Sequence, residues 1–275
     1  MNKEFGKEFD KELDKEFIKY MLELIEIDNF RIYCIKNDNS ITETMKINNQ
    51  IWESWTNELL KELYIKDSNM VDVGAHIGTT SLIMSNHISQ NCKIYAFEPI
   101  YSFITELNIR ENNLQDKVKL IPIGLSNKEE QLEGGTIDFS VICNYGFTTL
   151  NGLKKSTKES KYIIDIKKLD SLNLQNISFI KIDVEGHEHN VLLGASQTIN
   201  RCKPTILIEL WCTSKNSLKQ LKDGTLDYKN PLHCFSILFN WGYICIPIST
   251  ISDDFLFIHY TNKGLIEKIM KIINK

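Results

Sequence analysis

Between Asn69 and Leu210 the chain alternates short apolar runs with stretches of helical periodicity, and that alternation leaves few folds open to it. Strands are predicted over 70–73, 93–97, 118–123, 179–183 and 205–210, with helices over 79–89, 101–112 and 188–200. Repeated strand, helix and strand builds a parallel sheet whose two faces are covered by the helices. A further helix is expected near 232–241. Two apolar runs, 243–248 and 255–260, then flank a polar turn over 249–254. They read as a closing hairpin that places one antiparallel strand in an otherwise parallel sheet.

The flanks are read as additions to that core. Over 3–27 (KEFGKEFDKELDKEFIKYMLELIEI), Phe5, Phe9, Leu13 and Phe17 recur at helical spacing among Lys and Glu, which predicts an amphipathic helix. A short strand over 31–35 and a second amphipathic helix over 51–65 complete a helical N-terminal extension, 1–66, ahead of the main domain, 67–275. An insertion near 127–169 separates the third and fourth core strands. Insertions on such a scaffold commonly carry substrate contacts. The N-terminal helix would pack on its own domain or on a second subunit, which leaves a homodimer open.

Composition narrows the function classes. A net charge of -4 and a pI near 5.9 argue against nucleic acid as partner, because phosphate binding leaves a basic face. The 7 cysteines are scattered without a CxxC pair, which reads as reduced thiols in a cytoplasmic protein rather than a disulfide framework or zinc site. No apolar run approaches the roughly 20 residues of a membrane span, and the charged start lacks the apolar stretch of a signal peptide.

The sharpest motif is Val71-Asp72-Val73-Gly74-Ala75-His76-Ile77-Gly78, at the end of the first core strand and directly before a helix. Glycines there let a backbone approach a ligand, and helix amides favour a negative group. Glu98, in YAFEP at the end of the second strand, can accept hydrogen bonds from both hydroxyls of a ribose. The spacing departs from G-x-G-x-x-G, so the turn is looser than a pyrophosphate needs. S-adenosylmethionine has a ribose and adenine but no phosphate, and D-x-G-x-x-x-G with a distal Glu suits it better. Asp72, Gly74, His76, Gly78, Glu98, Pro99, Gly124, Leu125 and Asp183 form the expected cofactor set.

The segment Lys181-Ile182-Asp183-Val184-Glu185-Gly186-His187-Glu188, followed by Val191-Leu192-Leu193-Gly194-Ala195 and a strand ending at Glu209, resembles the FkbM methyltransferases when taken with VDVGAHIG and YAFEP. The resemblance runs from about Trp52 to Tyr260. It implies an α/β class I methyltransferase fold of Rossmann-like type, with a seven-stranded, mostly parallel sheet and one antiparallel strand. It also implies S-adenosylmethionine as cofactor. His76 and His187 stand where relatives often carry other residues.

Methyl transfer from a sulfonium is an in-line displacement, helped by a base that takes the acceptor's proton. The fourth core strand brings Asp183, Glu185 and His187 to the carboxyl edge of the sheet, where they are the candidate catalytic residues. Glu185 could equally cap the next helix, on whose exterior Glu188 and His189 are expected. Asn144, Tyr145, Thr148 and Trp211 are candidate contacts for a small hydroxyl-bearing acceptor, a sugar or glycan precursor foremost. Mg²⁺ held by Asp183 and Glu209 stands as a less favoured arrangement, since Leu210 and Trp211 follow Glu209 where a second acid would be wanted. The rival readings are an NAD-dependent oxidoreductase on a similar sheet and a non-catalytic scaffold that binds a partner through its N-terminal helix.

Overall fold

The computed structural model of the chain describes residue 16 and residues 18–134, 141–147, 162–211, 231–248 and 253–273. Its first strands, β1 (Leu22–Ile27) and β2 (Phe30–Ile35), form a hairpin closed by a turn in which Asp28 takes a left-handed φ of 53°. This corrects the expected helix over 3–27. Residues 18–21 are helical, but LELIEI alternates, and pairing with β2 wins over the helix propensity of Leu and Glu. The residues before 16 lie outside the description, as does Phe17. Two helices follow, α1 (Ile41–Asn48) and α2 (Trp55–Leu63), the first unforeseen and the second shorter than expected.

The core begins at β3 (Asn69–Val73) and continues through α3 (Thr79–Ser85), β4 (Ile94–Phe97), α4 (Ser102–Glu111) and β5 (Val118–Ile121). β6 (Gly124–Leu125), just before the insertion, joins β7 (Glu130–Gly134) and β8 (Tyr162–Lys167) from within it in a small separate sheet with β8 in the middle. The expected strand over 118–123 therefore stops at Ile121, and Gly124–Leu125 joins the second sheet. Then come β9 (Ile177–Ile182), α5 (Glu188–Gly194), α6 (Ser196–Cys202) and β10 (Thr205–Glu209). One helix was expected over 188–200; the chain breaks it at Ala195, which ends α5 and starts α6. The chain closes with α7 (Leu232–Asn240), β11 (Tyr243–Pro247), β12 (Asp254–His259) and α8 (Lys263–Ile273).

The main sheet runs β5-β4-β3-β9-β10-β12-β11. The pairs among β5, β4, β3, β9 and β10 are parallel, and β12 is antiparallel to both its neighbours, so the expected closing hairpin is present. Successive side chains serve opposite faces: Met70 joins one apolar cluster, while Val71 and Val73 join the other. On the first face Ile32, Met45, Leu60 and Leu63 from the N-terminal elements pack with Leu82 and Ile94. On the second, Ile180 and Ile182 pack with Val191, Leu192 and Phe257. β9 is buried along its whole length, as a central parallel strand must be. Order reverses between β3 and β4 on one side and β9 on the other, and in such sheets ligands bind in the crevice beyond the carboxyl ends of those strands. Among the described residues, no helix is long and apolar enough to cross a membrane.

Candidate active site

At that crevice lies a cleft of about 240 Å³. One wall is the turn after β3. Gly74 takes a φ of +84°, and a Cβ there would lie 1.8 Å from the Asp183 carbonyl oxygen, so the first turn and the end of β9 are packed backbone to backbone. The Gly74 and Ala75 amides both donate to the Phe97 carbonyl, at 3.0 and 3.1 Å, which ties the turn to β4. His76 follows with a φ of 50°, its ring edge-on to Tyr101 at 4.4 Å between centroids. Burial pushes the imidazole down to about 4, so it is neutral, and its buried Nε2 has no hydrogen-bond partner.

Glu98 organises the second wall. Its Oε2 accepts from the His76 amide at 2.9 Å, and its Oε1 accepts from the amides of Ile100 and Tyr101 at 2.6 and 2.9 Å. Three bonds on a carboxylate with about four acceptor positions leave one to offer. Burial raises the group from 4.5 to about 7, against those three amides. Pro99, Gly124 and Leu125 line the cleft beside it, as expected.

The opposite wall is acidic. Asp183, Glu185 and Glu209 each place a carboxylate oxygen within 4.8 Å of the others. Asp183 is hydrogen-bonded to Glu209; burial acts to raise Asp183, but the Lys181 charge and the hydrogen bonds from Glu209 and Lys181 together hold it below the usual range. Burial and the Asp183 charge push Glu209 up to about 9. Glu185 sits on a left-handed φ of 54°, with one carboxylate oxygen buried and unpartnered. Burial, then Asp183 and Glu188, raise it from 4.5 to about 8. A divalent cation would find oxygen ligands here, but the Lys181 ammonium already lies 3.1 Å from Asp183 Oδ2.

His187 lines the cleft with both ring nitrogens engaged, Nε2 with Ser126 Oγ at 3.0 Å and Nδ1 with Asn190 Nδ2 at 3.3 Å. An amide nitrogen donates, so Nδ1 accepts and Nε2 carries the proton toward Ser126. The helix cap expected of Glu185 is not made by any side chain; Glu188, the first residue of α5, turns back toward the preceding loop. Its Oε1 accepts from the Gly186 amide at 2.9 Å, and the residue is buried, not on the exterior.

Several expected contacts fall elsewhere. Asp72 is fully buried behind the cleft wall, where Ser81 Oγ donates to its Oδ2 at 2.6 Å. Gly78 opens α3 against Thr105 and does not line the cleft. Tyr145 is a core anchor: its hydroxyl donates to the Val141 carbonyl at 2.6 Å, and its own carbonyl accepts from Tyr101 at 3.0 Å. Trp211 is 39% exposed beyond β10 and outside the cleft lining. Asn144 does line it, with its Oδ1 accepting from the Gly146 amide at 2.9 Å. Thr148 lies outside the described residues.

Two cleft residues escaped sequence reasoning. Lys181 was visible only as part of a motif, although a lysine in an otherwise mostly apolar strand is itself a signal. Glu53, whose Oε2 lies 2.5 Å from Lys181 Nζ, comes from 128 residues earlier. Nothing local announces that pairing.

A five-stranded parallel run with a reversed hairpin at one edge, and a glycine turn facing an acid at the next strand end, define a class I methyltransferase core. The sequence model of the Methyltransferase FkbM domain matches residues 72–245, and the chain belongs to that family. Methyltransferase sdnD of Sordaria araneosa is 26% identical over 223 residues, covering 69% of this chain and 82% of that protein. Among solved structures, a methyltransferase FkbM from Methylobacillus flagellatus aligns with a TM-score of 0.42 and 16% identity, over 75% of this chain and 51% of the other. An O-methyltransferase from Bacillus cereus in complex with SAH aligns with a TM-score of 0.47 and 12% identity, over 89% and 95%.

Proposed function

We propose that this methyltransferase uses S-adenosylmethionine to methylate a hydroxyl of a small molecule, a sugar or glycan precursor foremost. The observation that carries this reading is the pairing, across one cleft, of the Gly74–His76 turn and Glu98 with the unpartnered carboxylate of Glu185. The donor side fits the cofactor: Gly74 admits close backbone approach, and Glu98 keeps one acceptor position for a ribose hydroxyl. When bound, the cofactor supplies an electrophilic methyl group on a sulfonium. Glu185 takes the acceptor's proton at its free oxygen, and the His187 ring, held by Ser126 and Asn190, forms part of the cleft wall. Asn144 offers a polar edge on the acceptor side. The first test is calorimetric titration with S-adenosylmethionine and S-adenosylhomocysteine, followed by a screen of neutral sugars. Absence of binding for both sinks the reading.

Three predictions follow from the acidic wall. Since Glu185 is raised to about 8, its basic form accumulates as pH rises. Turnover should climb about tenfold per unit from pH 6 to pH 8 and level above. Glu185→Gln should lower turnover on the order of 10² to 10³ and leave S-adenosylhomocysteine affinity within about threefold. A flat pH profile, or an active Gln variant, removes Glu185 as base. EDTA should leave turnover unchanged, because the Lys181 ammonium already lies 3.1 Å from Asp183 Oδ2, where a cation would have to sit. Activity lost to EDTA and regained with Mg²⁺ would place a cation between Asp183 and Glu209.

A further inference from the structure

Lys181 poses an electrostatic problem for a cleft that takes a cation. It stands in β9, buried to 4% exposure, and is the one lysine among the described residues that line the cleft. A sulfonium donor entering beside an ammonium would be repelled. The structure meets this with Glu53, from the turn before α2. Its Oε2 lies 2.5 Å from Lys181 Nζ and accepts from Thr80 Oγ1 at 3.0 Å. The turn is fixed by the Thr56 amide and hydroxyl, which donate to the Glu53 carbonyl at 2.9 and 2.8 Å. Glu53 also holds a left-handed φ of 57°, a conformation glycine or asparagine would adopt at less cost. The strained backbone thus places a carboxylate directly against a buried lysine. Lys181, Glu53 and Asp183 together carry one positive and two negative charges, so the cluster stays net negative.

We propose that Glu53 is a specificity-determining residue: by neutralising Lys181 it makes the cleft favour the cationic sulfonium of the donor over the neutral thioether of the product. The inference rests on S-adenosylmethionine being the donor. Its functional consequence is discharge of the demethylated product, whose departure loses no charge attraction.

Binding alone tests it. S-adenosylmethionine, S-adenosylhomocysteine and sinefungin, which carries an ammonium near the sulfonium position, are titrated calorimetrically into wild type, Glu53→Gln and the Glu53→Gln/Lys181→Met pair. In Glu53→Gln the preference for S-adenosylmethionine over S-adenosylhomocysteine is expected to fall about tenfold, with sinefungin following the cation. The double variant removes both charges and is expected to restore most of the preference. Thermal melts accompany each titration. Lys181→Met alone, expected to raise the preference, gives the answer where Glu53→Gln does not fold. Equal loss of all three ligands in Glu53→Gln, or no change in the ratio, overturns the proposal and leaves the donor assignment standing. Wild type that binds none of the three overturns both.

Discussion

Gly74→Ala is expected to unfold the protein or leave it without a cleft. A methyl group at this position would sit 1.8 Å from the Asp183 carbonyl oxygen and 2.9 Å from its carbon, both backbone atoms that no rotamer change can move. Relief would require β3 to part from the end of β9. There the Asp183 amide donates to the Val73 carbonyl at 3.0 Å, between two strands buried in the centre of the sheet. The positive φ adds about 1 kcal/mol for any L side chain. The total should exceed about 4 kcal/mol, a large share of the roughly 5–15 kcal/mol that holds a domain together. Urea denaturation measures it. An unchanged midpoint with intact S-adenosylhomocysteine binding would mean that the two backbones are not in contact.

The second large effect concerns Glu98. Glu98→Ala removes the acceptor for three backbone amides at once and the one acceptor position left for a ribose. S-adenosylhomocysteine affinity should fall at least about a hundredfold. Stability should drop by about 2–4 kcal/mol, since three buried donors lose a charged partner. The wild-type carboxyl also makes both quantities pH-dependent. Its folded value, about 7, lies above the ordinary 4.5, so the folded chain holds a proton that the unfolded chain releases. Its contribution is therefore fully present below pH 4.5 and lost as pH rises to about 7, on the order of 3 kcal/mol. Ligand hydroxyls favour the ionised form, so affinity should move the opposite way and tighten as pH rises through 7. Calorimetry at pH 6 and pH 8, in buffers of different ionisation enthalpy, reads both the affinity and the proton released. Equal affinity at the two pH values, with no proton released, would remove Glu98 from the ribose site.

The parallel core was legible because each element carried its own local signal. Apolar runs, the glycine turn and the polar break between β11 and β12 depend on neighbours in sequence, and the structure keeps them nearly where expected. β1 was misread because Leu and Glu favour helix, and only pairing with β2 overrides that preference. Glu188 was misplaced for a related reason: its acid reaches back to the Gly186 amide, which a helical-wheel reading cannot see. Within the site, Glu98 and the acids near β9 were legible as strand-end residues. Tyr145 and Trp211 were chosen by chemistry alone, and burial or direction took them elsewhere. Glu53 could not have been found, since its partner is set by tertiary structure alone.

The strand order also fixes a timetable for synthesis. β3, β4 and β5 lie next to one another in chain and in sheet, so that half can pair while the rest is still being made. β9 must then insert on the far side of β3, more than a hundred residues after it, and bring Lys181 to a glutamate translated long before. Until β9 and β10 dock, one edge of β3 stays open and apolar, the state most exposed to misassembly. Slow production or chaperone capture should therefore matter most in the interval between residues 121 and 209, when half a sheet waits for its centre.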